Sequence, residues 1–193
     1  LTIAQKIISK SENRYRKLSN IKPTKKAKTV GDKISKDPRL VQAVLDESKK
    51  IVRYKKNVLI VEHKLGYINI NAGIDRSNTS KNKDLVLLLP ENPKKSANDI
   101  QTQINTQIGK DISVIITDSM TRPYRSGVTN FAIASSNIQS LIDLKGEEDI
   151  FGNTLHATEI AIADELAAAA GLLMGQGNDM KPVVIIKGFD RSN

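Results

Sequence analysis

The chain has 193 residues, 39% of them apolar, enough for one domain of roughly 100–200 residues or for two small interleaved lobes. It contains no cysteine, which excludes a disulfide frame and a thiolate metal site; a metal would need oxygen ligands or one of only two histidines, His63 and His156. A formal charge of +9 favours polyanionic partners such as nucleotides, and no apolar run reaches the roughly 18 residues of a membrane span.

Residues 1–9 read as a strand running into the polar stretch that ends at Arg14. Asp37-Pro38 marks a helix start, and Leu40, Val41, Val44 and Leu45 predict a helical apolar face to about Val52. Val58–Val61 and Tyr67–Ile70 read as strands of a hairpin turning at Lys64-Leu65-Gly66. Asn71 to Asn78 follows as a loop of Gly, Asn, Asp and Ser that can turn sharply and present several polar groups. Leu85–Leu89 is a buried strand stopped by Pro90, and Ser96 with Asp99 reads as the start of a helix buried through Ile100, Ile104 and Ile108. A strand from Ile112 to Thr117 then delivers Asp118 to its end, ahead of Arg122 and Arg125. Phe131–Ala134 is a short strand, Thr154 to about Met174 a long alanine-rich helix, and Val183–Ile186 a closing buried strand. The pattern predicts an α+β fold with a mixed, largely antiparallel sheet against that helix.

The positive charge falls into three clusters: Arg14, Arg16 and Lys17; Lys22, Lys25, Lys26 and Lys28; and Lys49, Lys50, Arg53, Lys55 and Lys56. With no aromatic residues interleaved, solvated faces account for them better than a nucleic-acid surface does. The run Asp118 to Gly127 carries more chemistry. A carboxylate followed by two arginines suits an anionic substrate handled with a metal, since guanidinium groups grip phosphate or carboxylate oxygens in pairs. The alternative is a solvated strand end and an arginine-rich turn. Asp118, Asp149 and Glu159 are the metal candidates, favouring Mg2+ or Mn2+ on oxygen ligands, whereas Asp164 and Glu165 fit a structural role beside the packing alanines. Leu1-Thr2-Ile3-Ala4 reads as a strand already under way, so the chain is expected to be part of a longer product; without a signal-peptide layout, the cytoplasm is the default location.

Several blocks in order, Ile8 to Arg14, Lys36 to Arg39, Asn71 to Asn78, Asp118 to Gly127 and Ala163 to Gly175, together resemble the coenzyme F420-0:γ-glutamyl ligase family. The resemblance spans nearly the whole chain and implies a single ligase domain over residues 1–193 whose family members extend further at both ends. It implies a GTP-dependent carbon–nitrogen ligase that activates the carboxylate of a deazaflavin coenzyme, F420-0, as an acyl phosphate and joins L-glutamate to it, with γ-linked additions thereafter. Two divalent ions, Mg2+ or Mn2+, would accompany the triphosphate, with K+ as a further cation, and the enzyme would be a homodimer with no membrane or nucleic-acid partner. Carried onto matching positions, Lys10, Lys6 and Thr121 would meet the nucleotide, and Asp118, Asp149, Thr158 and Glu159 the metals. Arg122 and Arg125 would hold charge during transfer, and Asn71, Asp75, Ser77 and Asn78 would contact substrate or nucleotide. A diverged binding module with the same fold is the alternative. The chain departs from the family at Thr121 and at Ala134 to Asn137, where glycines are usual, and the added side chains are expected to narrow or reshape the pocket.

Overall fold

The computed structural model describes residues 1–189. They form two compact units, one of residues 1–4, 92–119 and 129 onward, the other of residues 5–91 and 120–128.

In the first unit, β1 (Thr2–Ala4) lies between β7 (Val114–Arg122), to which it is parallel, and β11 (Val183–Val184), to which it is antiparallel; β8 (Arg125–Ser136) flanks β7. The helix α5 (Ile162–Met174) packs its alanines on β1 and β11, with Ala167 and Ala170 almost fully buried. Close approach is required here. A Cβ added at Gly171 would stand 2.7 Å from Cγ of Asn130. The helix α4 (Pro93–Ile108) and the small ribbon of β9 (Ile142–Asp143) with β10 (Glu159–Ile160) complete this unit.

The second unit holds α1 (Gln5–Ser11), β2 (Tyr15–Lys17), α2 (Lys25–Ile34), α3 (Pro38–Asp46), the antiparallel sheet of β3 (Ser48–Lys55), β4 (Val58–His63) and β5 (Ile68–Ile70), and β6 (Leu85–Leu87), which pairs with β2. Its core joins Ile34, Val41 and Val44 of the helices to Leu59 and Val61 of the sheet and Val86 of β6. Thr24 caps α2 and Asp37 caps α3, each side chain accepting a backbone N–H in the first turn. Lys25, Lys26 and Lys28 are exposed on α2, whose buried residues are Ala27, Val30, Gly31 and Ile34, Lys22 is exposed ahead of it, and Lys49, Lys50, Arg53 and Lys55 are exposed on β3 with Lys56 just after it. Arg14 and Arg16 pair with Glu47 and Asp46. The clusters are thus exposed or ion-paired.

Several expected boundaries move. The strand expected over residues 1–9 ends at Ala4, because Gln5, Ile8 and Ser9 share a buried helical face. The helix expected to reach Val52 stops at Asp46, and Ile51 and Val52 join β3 as β-branched residues. Asn92, not Ser96, caps α4, accepting from the N–H of Lys95, and Pro93 takes the first helical turn. The Ile100–Ile104–Ile108 stripe is only partly buried, with Ile108 52% exposed. The strand expected to end at Thr117 continues to Arg122, since pairing with β8 satisfies its backbone, so Asp118 lies within a strand. The helix expected from Thr154 begins at Ile162, which removes Thr158 and Glu159 from it, and in the closing strand only Val184 is buried.

His63, on β4, is 3% exposed. Its Nδ1 accepts the N–H of Leu65, so Nε2 carries the proton; that atom is buried without a hydrogen-bond partner, 3.8 Å from Glu47 Oε2. Burial first, then Lys64, Arg14 and Lys49, lowers its pKa from 6.5 to about 4. Above pH 6.5 the ring is neutral in both folded and unfolded chains, and its environment carries no penalty. As pH falls towards 4 the unfolded chain takes up the proton and the folded chain does not, so stability drops, by up to about 3 kcal/mol at roughly 1.4 kcal/mol per unit. His63→Gln is therefore expected to flatten the loss of urea stability between pH 6.5 and 4. Equal losses in the two proteins would refute this account.

Candidate active site

The second unit gathers the lysines of α1 against the polar loop that follows β5. Because Gln5, Ile8 and Ser9 turn inward, Lys6 and Lys10 are carried on the remaining face. Lys6 Nζ lies 2.7 Å from Asp75 Oδ1, and Gln5 Nε2 donates to Asp75 Oδ2 at 2.6 Å. Ser9 Oγ in turn donates to Gln5 Oε1, fixing that buried amide. Lys10 Nζ donates to the carbonyl of Asn78 at 2.8 Å. The loop itself is tightly wound: Asn71, Ala72 and Gly73 are successive left-handed residues, with φ of 54°, 56° and 66°. For Ala72 that conformation costs about 1–2 kcal/mol, whereas asparagine at position 71 tolerates it better. It is sustained by Lys36 Nζ donating to Asn71 Oδ1 at 2.7 Å, by the burial of Ala72, and by Gly73, where a Cβ would come within 2.9 Å of Leu89. Asp75 is further held by a backbone bridge to Leu87.

Burial, and then the charge of Arg76, lowers the pKa of Lys36. A partly desolvated lysine reaching a wound loop that carries an arginine is an arrangement suited to an anion. Gln5, Lys36 and Arg76 carry no expected role from the sequence. The helical spacing of Gln5 with Ile8 and Ser9 was the available signal for Gln5; Lys36 and Arg76 stand inside two of the blocks that carry the family resemblance, but their contacts are tertiary. Ser77 is exposed on the same loop.

Thr121, Arg122 and Arg125 flank the turn Pro123–Tyr124 that joins β7 to β8. Pro123 supplies the first turn position and Tyr124 the second, at φ 59°. Nε of Arg122 is shut off from solvent without a hydrogen-bond partner, whereas Arg125 and Thr121 are exposed.

The acids expected to hold metal belong to the first unit. Asp118 is half-buried, with Oδ1 accepting the N–H of Ser119. Asp149 closes its own loop: its carboxylate accepts from the side chain and backbone of Asn153 and from the N–H of Phe151, and these bonds hold its pKa below the usual carboxylate range. Glu159 stands opposite Asp143 across the β9–β10 ribbon, and Lys145 bridges the two at 2.8 and 3.6 Å; the hydrogen bond to Glu159 is the main cause that raises the Lys145 pKa. Thr158 is exposed just before this strand. The oxygen donors are of the right kind for a hard cation, yet among the described residues no three acids or histidines gather closely enough to hold one. Asp164 has the structural role expected of it, accepting the backbone N–H of Ala132 at 2.8 Å.

Residues 1–188 match the family model described as F420-0:Gamma-glutamyl ligase. The chain belongs to that family. Its similarity to individual ligases is as extensive. It is 46% identical over 187 residues to the coenzyme F420:L-glutamate ligase of Methanococcus maripaludis strain C7, covering 97% of this chain and 74% of that protein. To the enzyme of the same name from Methanocaldococcus jannaschii it is 45% identical over 188 residues, with the same coverage. To that of Methanosarcina mazei it is 41% identical over 190 residues, covering 98% of this chain and 74% of the relative. The family match covers residues of both units. No helix among the described residues is long and apolar enough to cross a membrane.

Proposed function

We propose that this protein joins L-glutamate to coenzyme F420-0, and further glutamates in γ-linkage, at the expense of GTP. The observation that carries the reading is the gathering of Lys6 and Lys10 at the Asn71–Asn78 loop, within a chain of the ligase family. In this reading the γ-phosphoryl group of GTP passes to the acceptor carboxylate, giving an acyl phosphate and GDP. The glutamate amine then attacks the acyl carbon, loses a proton, and inorganic phosphate leaves. Lys6 and Lys10 supply positive charge for the phosphates, and Arg122 and Arg125 hold charge on the transferred group, which is the bulk of what phosphoryl transfer asks of a protein. A divalent ion, Mg2+ or Mn2+, belongs to the proposal through the triphosphate; no step is assigned to the acids of the first unit. A homodimer is proposed with it, to be read from light scattering.

The test is incubation with GTP, Mg2+ or Mn2+, L-glutamate and F420-0, followed by mass spectrometry for the glutamyl adduct and for GDP. Both products, and their loss on chelation, are the expected result. No adduct where a known ligase gives one would reject the activity, and salt-sensitive RNA binding without an adduct would favour the diverged binding module instead.

A further inference from the structure

Tyr124 stands apart from the other aromatic side chains. It is the fully exposed tip of the β7–β8 hairpin, at 106% relative exposure, and it holds a left-handed φ of 59°. Glycine or asparagine is the ordinary occupant of that second turn position, because a Cβ there meets the following carbonyl. The aromatic ring makes no compensating packing contact that would favour it: a ring in water at a strained position is a poor choice for folding. It is bracketed by Arg122 and Arg125, and the guanidinium Nε of Arg122 is buried with no partner. An exposed π face with guanidinium side chains two residues before it and one after it in the chain offers the chemistry that receives a flat ring attached to an anionic chain.

We infer that Tyr124 is a specificity-determining residue that stacks on the planar ring of an anionic substrate while the flanking arginines take its charged groups. The inference rests on the ligase reading, which offers two rings of this kind: the guanine of GTP and the deazaflavin of the coenzyme. The strain at φ 59° is then a cost retained at a binding position.

Binding of GDP and of F420-0 is titrated separately, alongside the steady-state kinetics of glutamate addition, for the wild type, Tyr124→Ala, Tyr124→Phe and Tyr124→Gly. A base–aromatic stack of ordinary strength predicts that Tyr124→Ala weakens one ligand by about 5- to 150-fold, with the other and L-glutamate unchanged, and the affected ligand identifies the ring. Tyr124→Phe restores the affinity. Tyr124→Gly relieves the turn and raises the melting temperature by about 2 °C or more, yet loses binding like the alanine variant. Unchanged affinity for both ligands in Tyr124→Ala overturns the stacking role even where the wild type adds glutamate. Conversely, a ring-dependent loss in the titrations supports it where turnover is absent, and a wild type that binds neither ligand overturns stacking and ligase reading together.

Discussion

Asp75→Ala is expected to lower folding stability by about 2–3 kcal/mol and to reduce glutamate addition by at least about tenfold. The carboxylate has two partners from α1, Lys6 at 2.7 Å and Gln5 at 2.6 Å, and its own side chain is 19% exposed. Removing it strands the Nε2 of a glutamine that is 2% exposed, and leaving a buried donor unsatisfied costs about 1–3 kcal/mol. The partly exposed lysine loses its counter-charge as well, though solvent screens that loss. With the carboxylate gone, the Asn71–Asn78 loop keeps only the Lys10–Asn78 hydrogen bond among the α1 contacts described above. Asp75→Asn separates the two effects. An amide oxygen still accepts from Gln5, so most of the stability should survive while the charge at the site is lost. Urea melts with the mass-spectrometric assay decide the matter: a stability change below about 0.5 kcal/mol in Asp75→Ala would mean that this contact does not secure the loop.

Leu89→Ala is expected to cost about 2–5 kcal/mol, the usual range for emptying a fully buried leucine site. Leu89 is 1% exposed and lies directly beneath Gly73, while its carbonyl accepts from Arg14 Nε. The cavity would open under the one glycine of the wound turn, where the left-handed backbone has least tolerance for movement. Nucleotide affinity should therefore fall along with the melting temperature. Leu89→Met, which nearly conserves volume, should cost less than about 1.5 kcal/mol. Equal losses in the two variants would show that volume beneath Gly73 is not what the site requires.

Much of the organisation is readable in the residues alone, and the misreadings have physical causes. The Val58–Val61 and Tyr67–Ile70 hairpin is found as expected, Ile60 pairing with Ile70, because alternating burial on β4 and the Gly66 turn point the same way. Asp37-Pro38 starts a helix for the same reason, since cap and fixed φ agree. Where local signals conflict, tertiary pairing decides. Ile51 extends a helical pattern numerically but pairs with Val61 of β4, with Val52 at the register shift beside it, and Asp118 reads as terminal only until β8 is placed beside it. For the site, the sequence marks Lys10, Asp75 and Asn78 as polar residues in suggestive runs. It says nothing of Gln5, Lys36 or the burial of Arg122 Nε, each of which depends on contacts made far along the chain.

By itself, then, the sequence determined the class of fold, the lack of thiolate chemistry, the solvated nature of the basic clusters and, through blocks spread over its length, the ligase family. Those properties depend on composition, periodicity and order, which survive without knowledge of three-dimensional neighbours. Only the tertiary structure decided that Lys6 and Gln5 converge on Asp75, that Asp149 and Glu159 are occupied by their own local partners, and that Tyr124 holds a strained φ at an exposed turn. Hydrogen-bond partners 70 residues apart and the sign of a backbone dihedral are set by how elements meet, and no local spacing encodes them.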